Sequence, residues 1–220
     1  MAQPCRALVL ISGSGSNLQA LIDQLHSSDA PLHIAAVLSN KADAYGLIRA
    51  QNAGIDTLVL DHKAYADREA FDRAMISAMD AYQPDLVILA GFMRILTPTF
   101  VEHYQGRLLN IHPSLLPRHK GLNTHQRALD EGDSEHGCSV HFVTAELDGG
   151  PVIARAAIDI LPGDSAETLA QRVHQQEHLL YPQVARWFAE GRLSLAASGP
   201  LLDGQALPAT GKTLRNGEMH

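Results

Sequence analysis

The chain has very little sulfur chemistry to offer: Cys5 and Cys138 are the only cysteines in 220 residues. Two unclustered cysteines exclude a disulfide-stapled scaffold and a paired-cysteine zinc site, and they suit a reducing, cytoplasmic setting. No stretch of 18 apolar residues occurs, so no segment reads as a membrane-spanning helix. The opening Met1-Ala2-Gln3-Pro4-Cys5-Arg6 lacks the apolar core and cleavage pattern of a secretory signal. Positive charge is also short. The formal net charge of -7 argues against broad electrostatic binding to nucleic acid or to an anionic membrane. Histidine is plentiful, at 12, but none shows HExxH spacing, so no metal is expected. Aromatic residues make up only 5% of the chain, so a core must come from Leu, Ile, Val, Ala and Met. The 45% hydrophobic fraction is sufficient for one.

The first half alternates short apolar runs with amphipathic stretches. Ala7 to Ile11, Ile34 to Leu38, Thr57 to Leu60, Leu86 to Ala90 and Leu108 to Ile111 read as strands. Between the first two, Leu18, Leu21, Ile22 and Leu25 follow helical spacing. Residues 45 to 53 read as a short helix stopped by Gly54. Asp67 opens a helix whose inner face carries Phe71, Met75, Ala78, Met79 and Tyr82. Thr97-Pro98 reads as the cap and first residue of another, running to Tyr104. This order predicts an α/β fold, a mostly parallel twisted sheet with helices on both faces. The second half predicts an antiparallel addition: Ser139 to Thr144, with one wetter face, returning through Asp148-Gly149-Gly150 into Pro151 to Ile158. A long helix from Asp164 or Ser165 toward Gly191 is expected to bend or break at Pro182. With no internal repeat or low-complexity linker, one domain over residues 1–200 is expected, followed by a 201–220 tail that is a strand at most and then loose.

Gly13 to Asn17 follows the first strand, Gly91-Phe92-Met93-Arg94 the fourth, and Asn110-Ile111-His112 closes the fifth, all at the carboxyl ends where open α/β sheets bind ligands; Asp148 lies in a loop downstream. In Gly13-Ser14-Gly15-Ser16-Asn17 the glycines allow backbone amides to face a phosphate at a helix N-terminus, with Ser16 or Asn17 capping the helix. The blander reading is a tight turn. The motif is neither a dinucleotide fingerprint, since Leu18 replaces the third glycine, nor a Walker A loop. Asn110-Ile111-His112-Pro113 ends the fifth strand. Residues two apart in extended chain project to the same side, so an amide and an imidazole can converge on one oxygen. A structural histidine at a strand end is the alternative. Asp148, in an Asp-Gly turn, can be a turn residue or the acid that orients His112 and favours its imidazolium form. An amide, an imidazole and a carboxylate suffice to stabilise and reprotonate an acyl-transfer centre.

These segments occur in order with Ser39-Asn40-Lys41-Ala42-Asp43, Ala90-Gly91-Phe92-Met93-Arg94-Ile95-Leu96, Ser114-Leu115-Leu116-Pro117, His136-Gly137-Cys138-Ser139-Val140-His141 and Gln176-Glu177-His178. Over residues 6 to 205 the set closely resembles the phosphoribosylglycinamide formyltransferase family of folate-dependent formyltransferases. The resemblance implies a Rossmann-like formyltransferase fold and transfer of formyl from 10-formyltetrahydrofolate, as co-substrate, to the glycyl amine of glycinamide ribonucleotide in purine biosynthesis.

By that likeness Asn110, His112 and Asp148 are the catalytic trio, and Gly15, Ser16 and Asn17 hold the acceptor's phosphate. His174, Gln175, Gln176 and Glu177 contact its ribose or amine end. The folate cleft is lined by Arg68, Leu89, Met93, Arg94, Ile95, Leu96, Asn110, Val143, Thr144, Ala145, Glu146, Leu147 and Asp148. The chain departs from the family pattern at Asn123, where a histidine is common, and lacks a proline before Gly121. A monomer or weak homodimer is expected. The alternatives are another user of 10-formyltetrahydrofolate, such as a formyltetrahydrofolate hydrolase, or a non-catalytic nucleotide-binding module. A methionyl-tRNA formyltransferase would be expected to add a tRNA-binding domain.

Overall fold

The apolar run after Arg6 forms β1 (Cys5–Ile11), in which Ala7 through Ile11 are completely buried. Burial on both faces is what a central strand of a covered parallel sheet requires, and each such aliphatic side chain contributes about 1.5–3 kcal/mol by leaving water. The computed structural model describes residues 3–26 and 29–220, and the chain divides into two compact units, Met1–Asn110 and Ile111–His220.

In the first unit, β1 is followed by α1 (Ser16–Leu25), β2 (Leu32–Ser39), α2 (Tyr45–Asn52), β3 (Asp56–Val59), α3 (Arg68–Asp80), β4 (Leu86–Leu89) and α4 (Pro98–His103). The start of β5 (Leu108–His112) completes it. The strands lie in the order β3-β2-β1-β4-β5, and every neighbouring pair is parallel. The order reverses at β1, with β2 on one side and β4 on the other. α1 contacts α2 and α3 contacts α4, as right-handed crossovers running in opposite directions from β1 would arrange them on opposite faces. The gap beyond β1 and β4 is thus a topological switch point, the place where such sheets bind ligands.

The caps of α3 and α4 fall where the sequence predicts them. Asp67 accepts the Ala70 N–H at 2.8 Å, and Thr97 accepts that of Phe100 at 3.5 Å with Pro98 in the first turn. Leu18, Leu21, Ile22 and Leu25 form the buried stripe of α1. On α3 the expected inner face is only partly right. Phe71, Met75 and Met79 are buried, and they are joined by Asp72, whose carboxylate accepts the Thr97 N–H at 2.7 Å.

The second unit contains α5 (Thr124–Asp130), β6 (Glu135–Phe142), β7 (Val152–Asp159), α6 (Ala166–Ala189), β8 (Leu193–Ala196), β9 (Gly199–Leu202), β10 (Gln205–Ala206), β11 (Lys212–Arg215) and β12 (Glu218–Met219). The antiparallel β6–β7 pair is as expected, and α6 packs on both of its strands. Three expectations fail here. First, β6 has no wet face, because residues 136–142 are all buried. The 113–118 segment covers the polar positions: Ser139 donates to the Ser114 carbonyl at 2.7 Å and accepts the Leu116 N–H at 3.0 Å. Second, the break allowed for at Pro182 does not occur, and α6 runs on as one 24-residue helix. A proline removes one backbone bond, but Leu169, Val173, Leu180, Tyr181, Val184 and Ala185 bury a continuous stripe that holds the helix together.

Third, the 201–220 stretch is not loose. β8, β9 and β10 form a small antiparallel sheet, while β11 adds in parallel to β7 and β12 folds back onto β11. The added strand satisfies an edge of β7 that would otherwise expose unpaired backbone groups. Arg215 adds ion pairs to Glu135 and to Asp159.

Candidate active site

At the switch point of the first unit, a polar triad replaces the apolar run of β1. Ser12 donates to the Asn40 side-chain oxygen at 2.6 Å and accepts the Met93 N–H at 2.8 Å, and the Ser12 N–H reaches the Gly91 carbonyl at 3.1 Å. This ties together the ends of β1, β2 and β4. The neighbouring turn is built for close approach. Gly15 has φ +72°, and a Cβ there would lie 2.6 Å from the Gly46 Cα of α2. Arg49 of the same helix donates to the Ser14 carbonyl at 2.8 Å. Gly15, and not Ser16 or Asn17, is the N-cap of α1, and no side chain caps the helix. A helix start without a side-chain cap leaves backbone N–H groups and the positive end of the helix dipole available to an anion.

The loop after β4 presents apolar surface beside this turn. Met93 and Ile95 are 66% and 60% exposed, an unusual use of two large apolar side chains in a loop tied down by Ser12. Arg94 lies over the Phe71 ring, 6.0 Å from its centroid. Leu89 is buried at the end of β4, Leu96 is half-buried, and Arg68 is exposed at the start of α3. Asn110 pairs with Leu89 in the β4–β5 ladder and is the last residue of this unit.

His112 and Asp148 come together within the second unit. The His112 Nδ1 lies 3.5 Å from Asp148 Oδ2, with both side chains below 10% exposed. His112 Nε2 lies 2.8 Å from the His119 carbonyl, so Nε2 carries the proton and donates it there. Asp148 Oδ2 also accepts the Gly121 N–H at 2.8 Å. Asp148 itself sits at φ +49°, and Gly150 after it is demanded by space: a Cβ there would fall 1.8 Å from the Phe142 carbonyl oxygen. The Asp-Gly turn and the acid that meets His112 are therefore the same residue. Around the pair, the mount is stiff. Ser114 donates to the Arg118 carbonyl at 2.7 Å, and Thr124 donates to the Pro113 carbonyl at 2.6 Å.

Further imidazoles line this unit. Burial, followed by the charges of His125 and His119, pushes His136 down to about 4. Burial likewise lowers His141, whose Nδ1 contacts the Phe142 carbonyl at 2.9 Å, and His125, which is 3.1 Å from His136. These are neutral rings at neutral pH. His119, Glu131 and Asp133 bring metal-ligand atom types within 4.8 Å of one another, but those atoms bond to each other and to Arg118 as a salt-bridge network.

With this geometry in place, comparison with known proteins is informative. The formyl transferase family profile matches residues 5–185, running through the division at Asn110. The chain belongs to the formyl transferase family. Among its relatives, the phosphoribosylglycinamide formyltransferase of Escherichia coli (strain K12) is 57% identical over 204 residues, covering 93% of this chain and 96% of that protein. The Haemophilus influenzae protein of the same name is 50% identical, covering 92% of this chain and 96% of its own length. The solved phosphoribosylglycinamide formyltransferase of Coxiella burnetii, crystallised with CHES, superposes with a TM-score of 0.92 at 50% identity, over 96% of this chain and all of that one. The α/β formyltransferase fold, mostly parallel with an antiparallel C-terminal half, is thereby shared.

Seen as a formyl transferase, the chain distributes its sequence-predicted residues unevenly. Gly15, Ser16, Asn17, Arg68, Leu89, Met93 to Leu96 and Asn110 belong to the first unit; Val143 to Asp148 and His174 to Glu177 belong to the second. Leu147 is 55% exposed, Ala145 is exposed, Val143 and Thr144 are half-buried, and Glu146 turns to Lys120 at 2.8 Å. The 174–177 group does not act as one surface, because successive helical residues rotate by about 100°. His174 is exposed and adds to burial in lowering His125, while Glu177 is buried and adds to burial in raising Cys138 and Tyr181. Gln175 is exposed. Gln176 instead lines a separate hollow of about 300 Å³ with Arg172, Leu179 and Arg215.

Asn123, the family departure, holds φ +56° at the start of α5, a left-handed position that asparagine tolerates. Sequence reasoning missed Ser12, whose signal is a polar residue directly after a five-residue apolar strand. It also missed the backbone groups of His119 and Gly121, for which no sequence signal exists.

Proposed function

We propose that this chain transfers the formyl group of 10-formyltetrahydrofolate to the glycyl amine of glycinamide ribonucleotide, giving formylglycinamide ribonucleotide and tetrahydrofolate. The observation that carries the reading is the buried His112–Asp148 pair at 3.5 Å in a chain of this family. The amine nitrogen attacks the formyl carbon, a C–N bond forms, and negative charge grows on the formyl oxygen. The bond from that carbon to the folate nitrogen then breaks; the amine gives up a proton and the folate nitrogen takes one.

The residues divide the work. Both ring nitrogens of His112 are engaged, one by the His119 carbonyl and one by the Asp148 carboxylate. His112 therefore acts on the oxygen as a positive charge, and the directional donor is the Asn110 amide. Asp148 holds the ring and passes the proton between the two nitrogens. The uncapped start of α1 at Gly15, Ser16 and Asn17 suits the acceptor's phosphate. His174, Gln175, Gln176 and Glu177 are assigned to its ribose and amine end. The exposed Met93 and Ile95 of the first unit and Leu147 of the second are assigned to the flat rings of the folate, as are the other cleft residues named above.

We assign these roles to one formyltransferase domain over residues 1–200, with 201–220 outside the chemistry, acting on small molecules in the cytoplasm as a monomer or weak homodimer without nucleic acid or membrane. No helix among the described residues is long and apolar enough to cross a membrane. The test mixes protein, 10-formyltetrahydrofolate and glycinamide ribonucleotide and follows folate absorbance. Acceptor-dependent turnover is expected. Donor consumption without acceptor would make the chain a hydrolase, and binding without turnover would make it a nucleotide-binding module.

A further inference from the structure

We infer that His119 is a positioning residue for His112: its side chain, clamped by Asp133 and Glu131, holds its own carbonyl in place against the His112 ring. The inference rests on the role given to His112 above. The His119 carbonyl is the acceptor for His112 Nε2 at 2.8 Å, so its direction sets the tilt of the ring. Residue 119 has φ +52°, a left-handed conformation that is unfavourable for a non-glycine residue and therefore needs something to hold it.

The side chain supplies that hold. It is 3% exposed, its Nε2 donates to Asp133 Oδ2 at 2.7 Å, and its Nδ1 lies 3.6 Å from Glu131 Oε1. Arg118 ties the same two carboxylates together, and the His136 ring meets His119 edge-on at 6.2 Å. Burial opposes the charge on Asp133, but the bond from His119 and the Arg118 guanidinium outweigh it and keep the carboxyl below its usual range. Two residues on, the Gly121 N–H binds Asp148 Oδ2. The 119–121 segment thus grips both members of the pair, the imidazole through a carbonyl and the carboxylate through an amide. A cavity of about 230 Å³ adjoins the clamp, lined by His119 together with Leu115, Arg118, Asp133, His136 and Arg155.

The test is His119→Gly, which keeps a left-handed backbone accessible while removing the ring. With the ring gone, kcat is expected to fall about 10- to 100-fold, as for a misaligned catalytic group, with both KM values nearly unchanged. Added imidazole, entering through the cavity, is expected to recover part of kcat. Asp133→Asn serves as the second variant should His119→Gly not fold. In both, the His112 Nε2–H resonance, protected by its carbonyl in the parent, is expected to exchange rapidly with water.

A kcat loss that only mirrors the unfolded fraction by circular dichroism, with no imidazole rescue and an intact His112 N–H resonance, overturns the inference, as does undiminished kcat in both variants. His112→Ala separates the two claims. If it retains full formyl transfer, the underlying role of His112 fails; if it is inactive while the clamp variants match the parent, only the positioning role fails.

Discussion

Replacing Asp148 by asparagine isolates the charge of the central pair. The variant keeps an oxygen that can accept the Gly121 N–H, now at 2.8 Å, so the loop geometry survives. What disappears is the carboxylate's attraction, across 3.5 Å, for the positive charge that the proposed mechanism puts on His112. Two unit charges at that separation attract by about 5 kcal/mol at an effective dielectric constant of ~20 and by about 1 kcal/mol in water. Both side chains are almost fully buried, which places the pair nearer the first figure.

Part of that attraction already exists before reaction, and only the part that grows with charge on the formyl oxygen accelerates the chemistry. A loss of about 3–4 kcal/mol in the transition state, or roughly 10²–10³ in kcat, is the expected result. The assay is initial-rate folate absorbance at saturating acceptor and donor, with circular dichroism and thermal unfolding as controls for folding. Parent-like kcat would refute the reasoning, and so would a loss confined to KM, which would make Asp148 a binding residue only.

Other outcomes follow from the same geometry. Asn110→Ala, measured in the same assay, is expected to lower kcat by about 10²–10³ without loss of fold, because it removes the proposed directional donor to the formyl oxygen. Gly15→Ala should cost about 1–2 kcal/mol of stability from its left-handed backbone and raise KM for glycinamide ribonucleotide, since its Cβ would press on Gly46; an unchanged KM would remove the turn from the phosphate site.

Asp72 is raised by burial, which outweighs its bond from Thr97. A carboxyl raised on folding stabilises the fold below its unfolded value and loses that contribution as pH rises through the folded one. Asp72→Asn, which retains an acceptor for Thr97, is therefore expected to melt higher than the parent at pH 7, with the gap narrowing in acid. His136 has the opposite effect. An imidazole lowered to about 4 makes stability fall as pH drops from about 6.5 toward 4, by up to about 3 kcal/mol; His136→Asn should flatten that limb of the melting curve.

Much of the first unit was legible residue by residue. β1, α1, α3 and the Thr97-Pro98 start of α4 follow from apolar runs, helical spacing and capping residues, all of them local signals. The second unit was harder to read. The alternation Ser139-Val140-His141 predicted a wet face, yet Ser139 is buried because residues 114–116 satisfy its hydroxyl. Pro182 predicted a bend or a break, yet α6 does not break, because its packed stripe outweighs one missing backbone bond. Residues 212–219 looked like tail because four-residue strands have no periodicity to display; the open edge of β7 orders them.

By itself the sequence determined which chemical groups exist and at which strand ends they sit: an amide and an imidazole two residues apart on β5, a glycine turn after β1, and an acid in a bend before β7. Folding decided that the acid and the imidazole are 3.5 Å apart, that a left-handed His119 presents its carbonyl to the same ring, and that Gly121 closes on the acid. The physical reason is range. Periodicity and turn preference act over a few residues of chain, whereas His112 and Asp148 are 36 positions apart and meet only because buried strands and a tightly bonded loop leave them no other place.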